Sequence, residues 1–269
     1  MRVFVAGGTG AVGRRLVPLL VRSGHIVTGV SRTDAGVRRL RSYGSDARVV
    51  DIADRSAVIE AVSSFRPDVI AHQVTDLRHL DLDANATIRR LGTRNLVDAA
   101  HTAGVRRIVA QSISWAYEPG ETPAVETDRL DLGASEPRLT TVRGIADSEA
   151  FVAEVPEFVI LRYGMFYGPG TFFATGGRMT DEAHAGQLVG DESITNFIHV
   201  DDAAGAALAA LDWAPGAVNI GDDEPATAHE WTAVFADAVG AAAPSSRVGR
   251  AGGARGAANT HARQDVGWM

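Results

Sequence analysis

Apolar residues first gather in a short run, Arg2 to Ala6 (RVFVA), and then recur at helical spacing as Leu16, Leu19 and Leu20. Between the two patterns lies a glycine-rich break, Gly7-Gly8-Thr9-Gly10-Ala11-Val12-Gly13. This order predicts a strand, a tight loop and an amphipathic helix. The alternation then repeats. VTGV (Val27–Val30) and ARVVDI (Ala47–Ile52) read as strands, and Ser56 to Phe65 as a helix. DVIAHQV (Asp68–Val74) reads as a fourth strand entered through Pro67, and Ala84 to Ala103 as a long helix closed by Gly104. RRIVAQS (Arg106–Ser112) and FVILRY (Phe158–Tyr163) read as two further strands, separated by a helix from Arg143 to Glu154. Strands that are apolar almost throughout must be covered on both faces. Alternated with helices, they predict an α/β fold, a doubly wound parallel sheet with its ligand at the carboxyl ends of the strands.

After Tyr163 the rhythm changes. GMFYGPGTFFATGG is loop-rich, and short elements follow: QLVG, NFIHV, a helix from Asp202 to Leu211, AVNI, and a helix from Thr227 to Val239. Residues 168–269 therefore read as a smaller substrate lobe with some elements returning to the sheet, and residues 1–167 as the main domain. Gly240 to Ala258 is rich in Ala, Gly, Pro, Ser and Arg and reads as a mobile loop.

Composition narrows the partners. The chain has 269 residues, 45% hydrophobic and 22% charged, with a net charge of −7. An acidic balance argues against nucleic acid and anionic membrane. No apolar run approaches a membrane span, and the chain enters a strand directly, so a cytoplasmic protein without a signal peptide is expected. Cysteine is absent, which excludes disulfides and thiolate chemistry. All 26 basic residues are arginine. Neither a Schiff base nor a lysine acid or base is available. No His, Asp or Glu spacing suggests a metal site.

A strand that ends in glycines and opens a helix is a site for a diphosphate. Glycines let the backbone turn and approach closely, and the N–H groups of the helix start face the anion. Thr9, Gly10, Ala11, Val12 and Gly13, with Gly7, are the expected contacts of a nicotinamide dinucleotide in a Rossmann-type domain. Ser31-Arg32 follow the second strand, where the adenosine ribose would lie. An arginine there suits a 2′-phosphate, so NADP is expected and NAD is the alternative. The plainer reading of Arg32 is a solvated surface residue.

Four segments together resemble the extended short-chain dehydrogenase/reductase family, which includes NAD(P)-dependent sugar epimerases. They are the loop with spacing G-x-x-G-x-x-G, then GTRNLVDAA (Gly92–Ala100), LRYGMFYGPG (Leu161–Gly170), and FIHVDDAA (Phe197–Ala204) followed by VNIGDDEP (Val218–Pro225). The resemblance implies that Asp51 and Ile52 touch the adenine. It places His72 and Gln73 along the cofactor, with Tyr163, Met165 and Phe166 beside it. Plainer readings are a turn cap for Asp51 and a buried structural histidine for His72. Homodimers through the two long helices are a further expectation.

The family's catalytic pair is Tyr-x-x-x-Lys on the helix after the fifth strand. Here that helix reads LTTVRGIADSEAFV, which puts Thr141 at the Tyr position and Ile145 at the Lys position. The resemblance is therefore to atypical members lacking the pair. Ser112, Ser114 and Tyr117 are the candidates for a replacement proton relay. Trp115, Phe166, Phe172 and Phe173 suggest an apolar or aromatic carbonyl or hydroxyl metabolite. Three functions stand side by side: an NADP-dependent oxidoreductase or epimerase, a non-redox isomerase, cyclase or dehydratase, and an NADP-sensing regulatory protein.

Overall fold

The computed structural model describes residues 1–75, 81–251 and 254–268. Its elements run β1 (Arg2–Ala6), α1 (Gly13–Arg22), β2 (Ile26–Ser31), α2 (Asp34–Ser42), β3 (Asp46–Val49), α3 (Arg55–Phe65), β4 (Val69–His72), α4 (Leu82–Ala103), β5 (Arg107–Ile113), α5 (Arg138–Val152) and β6 (Glu157–Tyr163). There follow β7 (Met165–Tyr167), α6 (Arg178–His184), β8 (Val189–Gly190), β9 (Ile194–Thr195), β10 (Phe197–His199), α7 (Val200–Ala209), β11 (Gly216–Ile220), β12 (Ala226–Thr227), α8 (Ala228–Ala238), β13 (Ser245–Ser246) and α9 (Thr260–Gln264).

Seven strands form the main sheet in the order β11-β6-β5-β4-β1-β2-β3. β1 lies between β2 and β4, and its pairings with both are parallel, as are β2 with β3 and β4 with β5. Successive residues of β1 serve opposite faces, as the period of a strand requires. Phe4 and Ala6 join a core with Val58, Val62, Leu96, Ile108 and Val152 from α3, α4, β5 and α5. This is the doubly wound α/β sheet that the sequence predicts.

Local chemistry fixes the helix ends. Asp54 caps α3 and Asp81 caps α4 by accepting from the N–H groups of Ala57 and Ala84, at 3.0 and 2.9 Å. Gly104 closes α4 in the left-handed conformation. α2 is an element that the sequence pattern leaves unassigned. Its only buried positions are Val37 and Leu40, and the remainder is polar, so the periodic signal is thin. Thr33 nevertheless caps it through Gly36 N at 3.1 Å. α5 begins at Arg138, earlier than the expected Arg143, because its first turn is polar. β3 ends at Val49, short of Ile52.

Two compact units divide the chain, and they are interleaved. Residues 1–112, 132–161 and 204–218 form the first, and residues 113–131, 162–203 and 219–269 form the second. The sequence reading draws one boundary at 167/168 with returning elements. α7 and β11 are such elements, each with part of its length in the first unit.

Within the second unit, the described residues of the segment expected to be mobile, 240–251 and 254–258, pair with distant parts of the chain, and residues 252 and 253 lie outside the description. β13 pairs with β8, Arg247 N donates to Gly190 O at 2.9 Å, and Glu192 N donates to Gly249 O at 3.0 Å. Ala124 N donates to Gly256 O at 3.0 Å, and Ala258 N returns to Ala124 O at 2.8 Å. Composition alone reads these residues as loose because their order comes from partners far away in sequence. Arg247 also forms an ion pair with the buried Asp191. Burial works to raise the Asp191 carboxyl, but hydrogen bonds from Arg247 and Ser193 outweigh it and hold the group at about 2. A depressed carboxyl stabilises the fold above its unfolded value and loses that contribution as pH falls. Wild-type protein is therefore expected to lose stability between about pH 4 and pH 2. Asp191→Asn removes part of that loss, which melting curves across the range would measure.

Candidate cofactor and active site

β1 delivers the chain to Gly7, which has φ +86°. A Cβ on Gly7 would lie 2.3 Å from Gln73 O, and one on Gly13 would lie 2.2 Å from Gly7 O. The loop is thus folded tightly on itself and against the end of β4, with no room for side chains at either glycine. α1 starts at Gly13. The preceding Val12 makes no side-chain capping bond, and the first turn carries no acid. Arg14 N donates to Gly10 O at 3.1 Å and Arg15 N to Val12 O at 3.0 Å, so the helix start is closed onto the glycine loop, with its positive end facing the loop. This arrangement fits a dinucleotide diphosphate.

Arg32 is exposed at the start of the α2 cap. Ser31 Oγ accepts from Thr33 N at 3.3 Å, and Gly36 makes room for it, since a Cβ there would lie 1.9 Å from Ser31 Oγ. Asp51 Oδ1 accepts from Ala53 N at 3.0 Å, the plainer of its two sequence readings. Ile52 is buried, with its carbonyl accepting from Asn95 Nδ2 at 2.9 Å.

At the carboxyl end of β4, His72 Nδ1 accepts from Val74 N at 3.3 Å. Nε2 therefore carries the proton and donates to Thr93 Oγ1 at 2.8 Å, and Thr93 bonds Ser148 Oγ at 2.8 Å. Burial pushes His72 down to about 3, with the Arg89 charge adding to the effect. His72 is neutral at working pH, and its ring is tied into the α4–α5 packing. Gln73 beside it is different. Its carboxamide is buried, and neither Oε1 nor Nε2 has a hydrogen-bond partner among the described residues. An amide left dry at this point costs stability unless a polar ligand satisfies it.

On β5, Ser112 Oγ donates to Glu149 Oε1 at 2.5 Å. Ser114 is buried in the short turn 114–116 of the second unit. Tyr117, also in the second unit, donates from its hydroxyl to Asn219 Oδ1 at 2.6 Å and accepts from Arg162 Nη1 at 2.8 Å. Burial pushes its phenol up to about 12, against the opposing Arg162 charge. Asn219 and Arg162 thus hold the Tyr117 phenol within the second unit. Thr141 and Ile145 are buried on α5. Tyr163 is 1% exposed, and its hydroxyl donates to Ala203 O at 3.1 Å, which leaves Phe166 against its ring at 5.2 Å. Met165 joins the β7–β10 pair through Asn196 O. Phe173 belongs to an aromatic group with Phe197, Trp231 and Phe235. Two residues here have no counterpart in the sequence reading as site groups. They are Glu149 and Arg89, although for Arg89 a charge among Ala86, Gly92 and Thr93 on a buried stripe is a signal.

The family model described as "NAD dependent epimerase/dehydratase family" matches residues 3–221. The chain belongs to this family. A "3-diazoavenalumate denitrifying reductase" of Streptomyces sp is 42% identical over 295 aligned positions, covering 100% of this chain and 95% of that protein. A UDP-glucose 4-epimerase of Mycolicibacterium smegmatis is 29% identical, covering 100% of this chain and 93% of its own. Among solved structures, the Bordetella bronchiseptica enzyme WbmH in complex with NAD+ superposes with a TM-score of 0.81 at 20% identity, over 100% of this chain and 92% of that one. As a member of the epimerase/dehydratase family with reductases and epimerases among its relatives, the chain is an enzyme of the oxidoreductase/epimerase kind.

Proposed function

We propose that the chain is a reductase that uses NADP(H) in preference to NAD(H) and acts on a diazo group carried by an apolar or aromatic acid. The observation that carries this reading is the buried Thr141 and Ile145 at the Tyr and Lys positions of α5. Reduction of a carbonyl needs a proton at the oxygen as hydride arrives, and a Tyr–Lys pair supplies it. Threonine and isoleucine supply none. A diazo substrate has no such need. Bound in its reduced form, the dinucleotide supplies a hydride.

A neutral diazo compound can be drawn as a diazonium beside an anionic centre. One hydride forms the new C–H bond, the C–N bond breaks and N2 departs. One proton from solvent neutralises the anionic centre, and the two electrons come from the hydride. The protein's task is then binding and orientation rather than acid catalysis. The relative named for denitrifying a diazo compound, 42% identical over the whole chain, supports the choice. The aromatic group around Phe173 and Trp231 suits an apolar or aromatic substrate. This reading keeps the apolar or aromatic character of the substrate that the sequence suggests and puts a diazo group in place of its carbonyl or hydroxyl.

The test is turnover of an ortho-diazo phenolic acid with a 15N label, in the presence of NADPH deuterated at the transferable position. The expected products are 15N2 and an acid bearing deuterium at the former diazo carbon. Release of 15N2 without deuterium in the product, or turnover of ketones with none of the diazo acid, overturns the reading.

The cofactor preference has its own test. Arg32→Ala is expected to weaken NADPH binding about 10- to 100-fold, the worth of a hydrogen bond to a charged group, and to leave NADH nearly unchanged. Equal losses for both, measured by calorimetric titration, would remove Arg32 from the argument.

A further inference from the structure

The sheet order sets where each half of a bound dinucleotide lies. The diphosphate belongs to the β1 loop, and Ser31-Arg32 draw the adenosine half over β2. β4 and β5 lie on the other side of β1, so the nicotinamide half runs toward His72, Gln73 and Ser112. In that region the described residues of the first unit include a buried cation. Arg89 is 4% exposed, and its Nε has no hydrogen-bond partner.

Its level along α4 follows from two contacts. A Cβ on Gly144 of α5 would lie 3.0 Å from Ala86, and Thr93 bonds Ser148. Arg89 lies between Ala86 and Thr93 on α4. Ile145 lies between Gly144 and Ser148 on α5. Arg89 on α4 and Ile145 on α5 therefore lie at about the same level along the two packed helices.

We propose that Arg89 acts as the fixed cation of this site and makes it selective for the reduced, uncharged nicotinamide over the oxidised, cationic one. The inference rests on the reading of the glycine loop as a dinucleotide site. A guanidinium does not deprotonate at working pH, and burial brings Arg89 down only to about 10, with Glu149 opposing. Like charges in a poorly solvated site repel, so the oxidised form loses affinity. The groups that face Arg89 decide the size of the effect. His72 on β4 is neutral and offsets nothing. Thr93 on α4 and Ser148 on α5 are uncharged. Glu149 on α5 is the carboxylate whose charge Arg89 feels, and it offsets part of the cation. The Gln73 carboxamide next to His72 is a second buried polar group without a hydrogen-bond partner among the described residues. A partly compensated cation calls for a preference of about tenfold rather than thousandfold, roughly 1.4 kcal/mol.

The experiment measures dissociation constants for NADPH, NADP+ and adenosine 2′,5′-bisphosphate on the full chain and on three variants. Wild type is expected to bind NADPH about tenfold more tightly than NADP+. Arg89→Met brings the ratio toward one, Arg89→Lys keeps it, and Glu149→Gln widens it by removing the compensating charge. The bisphosphate carries no nicotinamide, so its affinity stays constant and reports that the adenosine half is intact. An unchanged ratio in Arg89→Met overturns the proposal, as does a wild-type ratio of one or a narrowed ratio in Glu149→Gln. If Arg89→Met does not fold, the opposite directions of Arg89→Lys and Glu149→Gln decide. Failure of wild type to bind any of the three ligands is a different result: it removes the dinucleotide reading itself.

Discussion

Gly13→Ala is expected to abolish measurable dinucleotide binding and to lower the melting temperature by several degrees. The added Cβ would lie 2.2 Å from Gly7 O and 2.6 Å from Gly8 Cα. Those are backbone atoms, so no side chain can swing aside to relieve the contact. The loop must open, and the first turn of α1 must move with it. Overpacking of this kind costs about 1–3 kcal/mol, and each kcal/mol is worth roughly 2–4 °C in a protein of this size. Binding suffers more than stability, because the diphosphate needs the loop and the helix start at fixed positions together. A loss of more than 100-fold, about 2.7 kcal/mol, is expected. Gly10→Ala is the internal comparison. Its Cβ meets only Gly7 O at 3.3 Å, so the fold is retained and the effect falls on the ligand alone. Titration of NADPH beside melting curves for both variants checks this. Gly13→Ala protein that binds NADPH within threefold of wild type would remove the tight loop from the cofactor argument.

The glycine loop was legible because its information is local: a strand, three glycines at fixed spacing and a helix follow one another directly between Arg2 and Arg22. The buried strands were legible for a similar reason, since a strand covered on both faces must be apolar at nearly every position. Features held by distant partners were not. Gly240 to Ala258 has the composition of a loose loop, yet backbone bonds to residues 188–194 and to Ala124 tie it down. α2 shows only two buried residues and so little periodicity, although Thr33 marks its start. The candidate active site divides along the same line. The absence of the Tyr–Lys pair could be read directly from α5. What stands near its place could not, because Arg89 reaches the level of Ile145 only through the packing of α4 on α5. Ser112 could be singled out from its strand, but its partner Glu149 lies 37 positions away.

Arg162→Met is expected to destabilise the protein by about 3–5 kcal/mol, the cost of leaving a buried polar cluster without its cation. Arg162 is 7% exposed in the second unit, with Nη1 donating to Tyr117 Oη at 2.8 Å and to Glu126 O at 3.0 Å. Tyr117 passes the connection to Asn219. That residue donates from its backbone to Glu126 Oε1 at 2.8 Å and from Nδ2 to Ala258 O at 3.1 Å. One guanidinium therefore ties β6, the loop after β5, β11 and the C-terminal segment together. Melting temperature should fall by roughly 6–20 °C. Tyr117→Phe removes only a hydroxyl, and a cost of about 1–3 kcal/mol is expected for the unpaired groups left behind. The two variants also separate tie from catalyst. The Tyr117 phenol, pushed up by burial to about 12, stabilises the fold while it stays protonated. That contribution is complete below about pH 10 and is lost as pH rises through 12. Wild type should lose melting temperature across that window, and Tyr117→Phe should lose less. If Tyr117→Phe instead melts like wild type and turnover collapses, the hydroxyl is chemical rather than structural.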